Sequence, residues 1–305
     1  MIAQFRPTRC AICETSDNAT EIYPASLTPE ALSARIFSAR RIPDGLHYRI
    51  VRCESCGLVR SDPVVSTTVM ERLYSESTFD YEPEVHSLTA TYGRYLSELE
   101  DFGVKKDALL EIGCGNGFFL REAARQGYRR AVGVEPSREA VAKAEDDVEI
   151  VCDVMRPSLF AESSFDAVCL FQVLDHLPDP AGVLRECRSV LRPGGLVLCL
   201  NHDVGALSAR LLGRRSPIID IEHTYLFDRK SIRRTFAAAG YDVLRVAPAV
   251  NLYSLRYLVR LLPVPHRARD LMLAALSFAH LGALSCRIPL GNLYVIARRP
   301  IAPTS

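Results

Sequence analysis

The chain has 305 residues, room for one core-bearing domain of about 200 residues and a smaller module. Hydrophobic residues make up 48% and charged residues 24%, a profile that excludes a disordered chain. Lysine plus arginine number 37 against 36 acidic residues, so the net charge of +1 supplies no field to gather polyanions, and nucleic acid is unsupported as a partner.

The N-terminal "MIAQFRPTRC" has no apolar run of signal-peptide length, and no stretch of about 18 strictly apolar residues follows it. A cytoplasmic protein with reduced thiols is therefore expected, and its ten cysteines point to a metal site rather than a disulfide framework. "CAIC" supplies Cys10 and Cys13, and "CESCG" supplies Cys53 and Cys56 with Gly57 behind them. A two-residue spacer turns both sulfurs to one side of a tight knuckle, so two such turns let four thiolates meet one tetrahedral zinc, with iron the minor alternative. Four cysteine ligands leave no open position, which makes the expected role structural. Between the pairs, "TPEALSARIFSARR" predicts a helix over 28–41, with Thr28 as N-cap and Pro29 at its first position. The zinc-binding module is placed at 1–62. A helical linker or lid follows over 63–106, with Tyr74, Phe79, Tyr81 and Tyr92 available to cover a pocket.

From residue 107, short apolar runs alternate with amphipathic helices, the pattern of a mostly parallel α/β sheet. "ALLEI" (108–112) runs into "GCGNG" (113–117) and a helix, a strand, glycine turn and helix N-terminus where backbone approaches a ligand closely. A dinucleotide fingerprint would need glycine at 118, where this chain has Phe118. The next strand (131–135) ends in Glu135, placed to accept hydrogen bonds from ribose hydroxyls, and a third (148–153) ends in Asp153, placed for the amine of an adenine ring. A fourth strand with its loop (165–180), a helix stopped by "RPGG" and a fifth strand, "LVLCLNH", complete the run. Cys152, Cys169, Cys187 and Cys199 read as small buried hydrophobes.

In their order and distances, "LLEIGCGNGFFL", "GVEPS", "VLDHLPDP" and "LRPGG" resemble the class I S-adenosylmethionine (SAM)-dependent methyltransferases over 107 to about 245. "LGNLYVIARRP" resembles the last strand of that family's seven-stranded, Rossmann-like sheet. The resemblance implies that Glu111, Gly113, Cys114, Gly115 and Gly117 frame the methionine part of SAM. It places Glu135 on the ribose, Asp153 and Val154 on the adenine and Gln172 in the nearby wall.

A sulfonium methyl is already activated, so the protein has mainly to align an acceptor and, where needed, take its proton. Candidate bases are His176, His202 and Glu222 with His223 in "DIEHTYLFD". A cysteine-pair module ahead of this domain, with an E-H dipeptide before an aromatic and a helix, is similar to the sugar C-methyltransferases. That resemblance implies His223 as base assisted by Glu222; the tyrosine expected two positions before the glutamate is here Asp220.

The domain 107–305 carries an expected helical insertion over 251–289, apolar and basic, with Arg256, Arg260, Arg267, Arg269 and Arg287 against Asp270. It would cover the acceptor pocket or rest on an anionic bilayer. A small-molecule acceptor, such as a sugar or a glycosylated biosynthetic intermediate, is the leading reading. The alternatives are an RNA methyltransferase with a zinc ribbon, weakened by eight arginines against six acidic residues in 1–60, or a SAM-binding regulatory protein without catalysis. Nothing in the sequence fixes an oligomeric state.

Overall fold

The computed structural model describes residues 5–27, 45–76, 84–262, 264–279, 281–282 and 284–301. The helix expected over 28–41 lies outside them, as do Phe79 and Tyr81. The N-terminal part holds strands β1 (Phe5–Arg6), β2 (Ala19–Tyr23), β3 (Ile50–Cys53), β4 (Val59–Ser61) and β5 (Val64–Val65), then helices α1 (Thr67–Ser75) and α2 (Val85–Ser97). The large domain continues with β6 (Ala108–Ile112), α3 (Phe118–Arg125), β7 (Arg130–Val134), α4 (Arg138–Ala142), β8 (Glu149–Val151), β9 (Phe165–Phe171), α5 (Pro180–Val190) and β10 (Leu191–His202). It ends with α6 (Leu207–Leu212), β11 (Tyr225–Leu226), α7 (Arg229–Ala238), β12 (Asp242–Ser254), α8 (Leu255–Leu261), α9 (His266–Phe278) and β13 (Ser285–Arg298).

Seven strands form one sheet in the order β12-β13-β10-β9-β6-β7-β8. Strands β10, β9, β6, β7 and β8 run parallel, and β13 is antiparallel to both neighbours. This is the class I methyltransferase sheet that the sequence predicted. The central strands β6 and β9 are buried along their whole length and apolar except at Glu111 and Asp166, as strands covered on both faces largely must be. Alternation sends Val168 and Leu170 to the core under α5 and α7, and Ala167, Cys169 and Phe171 to the core under α2 and α3. Helix starts are fixed locally. Asp179 accepts from Gly182 N ahead of Pro180 in α5, and Asp228 and Ser231 form a capping box in α7.

Three expectations are corrected. The helical insertion is confined to 255–284, because Asn251–Ser254 pair with 285–288 in an extended β12–β13 ladder. Cys152 is exposed: the third strand is the sheet edge and stops at Val151, leaving this thiol beyond the ladder, while Cys169, Cys187 and Cys199 are fully buried. Arg269 is buried with its guanidinium on the carbonyls of Leu262 and Val264, so it adds nothing to a basic surface.

The two-cysteine-pair module is stitched to the large domain. β11, which directly follows His223 and Thr224, pairs with β4 and completes a four-stranded sheet β11-β4-β3-β2. Ser61 Oγ donates to His223 O at 3.0 Å, and Ser61 N donates to Thr224 O at 2.8 Å.

Candidate functional site

The strand order reverses between β6 and β9, and ligands of open α/β sheets bind at the carboxyl ends of strands at such a switch point. A cavity of about 480 Å³ opens there, within the range of small-molecule sites. Gly113, at the end of β6, has φ +70°, and a Cβ on it would collide with Val173 Cγ2 in the loop after β9, so only glycine lets the two loops close. Gly113→Ala is expected to cost about 1–3 kcal/mol of stability and to weaken S-adenosylhomocysteine binding, checked by thermal melts and calorimetry.

Of the residues expected on the cofactor side, Gly113, Glu135, Asp153, Val154 and Gln172 line the cavity. Glu111, Cys114, Gly115 and Gly117 belong to the strand and turn that carry Gly113 and are not among its lining residues. Glu135 accepts from Gly115 N at 2.9 Å and from Ser137 N at 2.8 Å, tying the glycine turn to the end of β7. Burial pushes its carboxyl up, and those two amides oppose the shift. Glu111 is pushed well above the usual range by burial and then by the charge of Glu135. Its Oε2 is buried without a hydrogen-bond partner among the described residues. Asp153 caps its own turn through Val154 N at 2.8 Å and pairs with Arg156. Gln172 adopts φ +57°, unusual for a residue with a side chain. Its Nε2 donates to Asn292 Oδ1 at 3.1 Å, while its Oε1 is buried without a partner among the described residues. Cys114 is buried, and burial raises its thiol further from the thiolate, which argues against a nucleophile.

On the opposite wall, three histidines and three carboxylates converge. His176 and Asp175 come from the loop after β9, His202 from the end of β10, and Asp220, Glu222 and His223 from the segment before β11. His176, His202, Asp220, Glu222 and His223 all line the cavity. The ring of His223 lies 4.7 Å from that of His176 and 4.6 Å from that of His202. Asp220 Oδ1 accepts from the amides of Glu222 (2.9 Å) and His223 (3.2 Å) and meets His223 Nδ1 at 2.7 Å. The turn therefore holds the ring and its carboxylate in one unit. The residue read from the sequence as a missing tyrosine is the partner of the histidine, whereas the adjacent Glu222 contributes charge.

Burial alone would lower the His223 pKa, but Asp220, Asp175 and Glu222 outweigh it and hold the imidazole up to about 9. Burial lowers His176 to about 4 despite the pull of Asp175. Burial would raise Asp175, yet the imidazoles of His176, His202 and His223 keep it well below the carboxylate range. Tyr74 from α1 reaches the same place, its hydroxyl 3.2 Å from His176 Nδ1. Burial, with Glu222 and Asp220 next, pushes its phenol well above the usual value, so it stays protonated. Tyr92 from α2 lines the cavity and stacks on Phe171 at 4.1 Å. Asp175 was missed in the sequence; its signal was its place beside His176 in "LDHLPDP".

Away from this cavity, Cys10, Cys13, Cys53 and Cys56 bring their sulfurs within 4.8 Å of one another, with Cys10 and Cys56 3.3 Å apart. None is in a disulfide.

The open α/β sheet, its order and its glycine turn define the SAM-binding class of domain. Residues 85–246 match the family described as "Methyltransferase domain", more than half of the chain, and the chain belongs to that family. The ubiquinone biosynthesis O-methyltransferase of Xanthomonas axonopodis pv. citri (strain 306) is 33% identical over 139 residues, 42% of this chain and 57% of that protein. Its namesake in Xanthomonas campestris pv. campestris (strain B100) is 34% identical over 114 residues, 34% and 48% of the two chains. The chain spans about half the length of these curated relatives. A chain of the complex between the Haloferax volcanii Trm112 methyltransferase activator and a methyltransferase shares the fold, with TM-score 0.52 and 19% identity over 73% of this chain and 94% of that one.

Proposed function

We propose that the protein transfers a methyl group from SAM to a small-molecule acceptor that must lose a proton, such as a hydroxyl of a ring compound, a sugar or a glycosylated intermediate. The observation that carries this reading is the cluster of imidazoles and carboxylates facing the glycine-turn side across one cavity. The O-methyltransferase relatives make oxygen the first acceptor atom to test. The orphaned oxygen of Gln172 in the cavity wall and the carboxylate of Glu135 fit a ligand with several hydrogen-bond donors. Glu111, Gly113, Cys114, Gly115 and Gly117 would hold the methionine part, Glu135 the ribose, Asp153 and Val154 the adenine, and Gln172 the wall. When bound, SAM supplies an electrophilic methyl carbon. The four thiols fit a tetrahedral structural zinc that fixes the module to which β11 is paired.

On the acceptor side His223 is the catalytic residue that keeps the acceptor's proton, with Glu222 and Asp220 stabilising its charge. A group held up to about 9 accepts a proton only after losing its own, so turnover is expected to rise with pH toward about 9. Asp220→Asn should move that rise to lower pH in a profile of initial rates. The stability linkage has the opposite sense. The contribution from the raised pKa is fully present below the unfolded value of 6.5 and is lost as pH climbs through about 9.

A second proposal concerns the surface around α9, where Leu271 is 73% and Phe278 91% exposed, with Arg267 exposed on the same helix. No helix among the described residues is long and apolar enough to cross a membrane. Peripheral contact with anionic lipid fits an apolar face with neighbouring arginines. Co-sedimentation with phosphatidylglycerol vesicles is expected, and its loss in Phe278→Asp would locate the contact; no sedimentation of the wild type would refute it.

A further inference from the structure

We propose that His202, positioned by Asp175, is the catalytic residue that takes the acceptor's proton and hands it to His223. The inference rests on the methyl-transfer reading and adds a residue to it. Both nitrogens of His223 are engaged within the protein: Nδ1 faces Asp220 Oδ1 at 2.7 Å, and Nε2 faces His202 Nδ1 at 3.1 Å. The side chain of His223 is 7% exposed, that of His202 29%, and both line the cavity. His202 has the most surface left to meet an acceptor, since the His176 side chain is 20% exposed and its Nδ1 meets the Tyr74 hydroxyl.

The proton count fixes its tautomer. Asp175 Oδ2 lies 2.8 Å from His202 Nδ1, and the carboxylate is ionised, so it can only accept. With His223 in the neutral form that can accept a proton, Nδ1 of a neutral His202 therefore carries the hydrogen, and Nε2, which has no hydrogen bond among the described residues, carries the lone pair. This is the arrangement in which a buried carboxylate orients an imidazole as a general base. In the step, the acceptor O–H bond breaks and its proton binds His202 Nε2. The hydrogen on Nδ1 passes to His223 Nε2, leaving His202 neutral and His223 an imidazolium beside Asp220. The electron pair left on the acceptor oxygen forms the bond to the methyl carbon, while the carbon–sulfur bond gives its pair to sulfur. The charged and titratable groups facing the relay are Asp175 and His176 after β9, Asp220 and Glu222 before β11, and Tyr74 from α1.

Two measurements on the full chain test this. Nitrogen-15 imidazole spectra, recorded without acceptor above about pH 9, where His223 is neutral, are expected to show the neutral form of His202 protonated at Nδ1, and Asp175→Asn to shift it toward the Nε2–H form. His202→Asn keeps an amide donor near the Nδ1 position and removes only the base. With methyl-labelled SAM and the small-molecule fraction of a cell extract, it is expected to lose about 100-fold or more of transfer with S-adenosylhomocysteine affinity unchanged. An Nε2–H tautomer in the wild type overturns the role, as does a His202→Asn protein with wild-type turnover and pH profile. No transfer by the wild-type protein overturns the methyl-transfer reading and this role with it.

Discussion

Replacement of His223 by alanine is expected to lower methyl transfer by about 10²–10⁴-fold, the usual share of a positioned base, while S-adenosylhomocysteine binds with nearly unchanged Kd. The residues proposed to hold the cofactor come from β6, β7, the loop after β8 and the end of β9, whereas His223 stands on the other wall with Asp220. Truncation also strands Asp175, Asp220 and Glu222 in a buried pocket without the imidazolium that offsets them. Breaking such a buried pair typically costs about 3–5 kcal/mol, so the alanine variant is expected to melt earlier than the wild type. His223→Asn, which keeps a donor near the Nδ1 position, separates the two effects: melting is largely restored and turnover is not. Turnover that survives in both variants would make the dipeptide part of the frame.

The second large effect is expected at the cysteines. Cys53 closes β3, and β3 pairs with β4, which pairs with β11 immediately after the His223 turn. If the four thiols hold zinc, removing one ligand loosens the sheet that anchors this turn through Ser61. Structural zinc sites contribute about 10 kcal/mol or more of apparent binding energy in small peptides, and part of that is lost when one ligand goes. Cys53→Ser, or chelation at neutral pH, is expected to lower Tm by about 10 °C, corresponding to several kcal/mol at roughly 2–4 °C each. Turnover should fall with it although Cys53 lies outside the cavity. Thermal melts paired with metal analysis check this; one zinc per chain is expected, and a chain that holds no metal and keeps its Tm on chelation contradicts it.

The sheet was legible because its signals are local: apolar runs for buried strands, a glycine turn after the first, and Pro-Gly after the last helix before β10. The cysteine pairs were legible for the same reason, as each knuckle is written in four residues. The acceptor side was harder. Asp220 stood as a departure from an expected tyrosine, because its contact with His223 Nδ1 depends on a turn whose amides close on the carboxylate. Asp175 and His202 lie 27 positions apart and meet only because β9 and β10 are parallel neighbours. Tyr74 reaches His176 across 102 positions, which no periodicity encodes. The extent of the insertion was misjudged because strand pairing beyond Ala249 depends on a register shift that sets residues 289–291 of β13 against Val250, rather than on the apolar pattern.

The central claim is that this protein methylates a small molecule with SAM as donor. Its most direct test is incubation of the full chain with methyl-labelled SAM and fractionated cell extract, followed by separation of metabolites, lipid and RNA. Label is expected in the small-molecule fraction, rising with pH toward about 9 and strongly reduced in His223→Ala. Label confined to RNA, or none in any fraction while S-adenosylhomocysteine binds, would contradict the account.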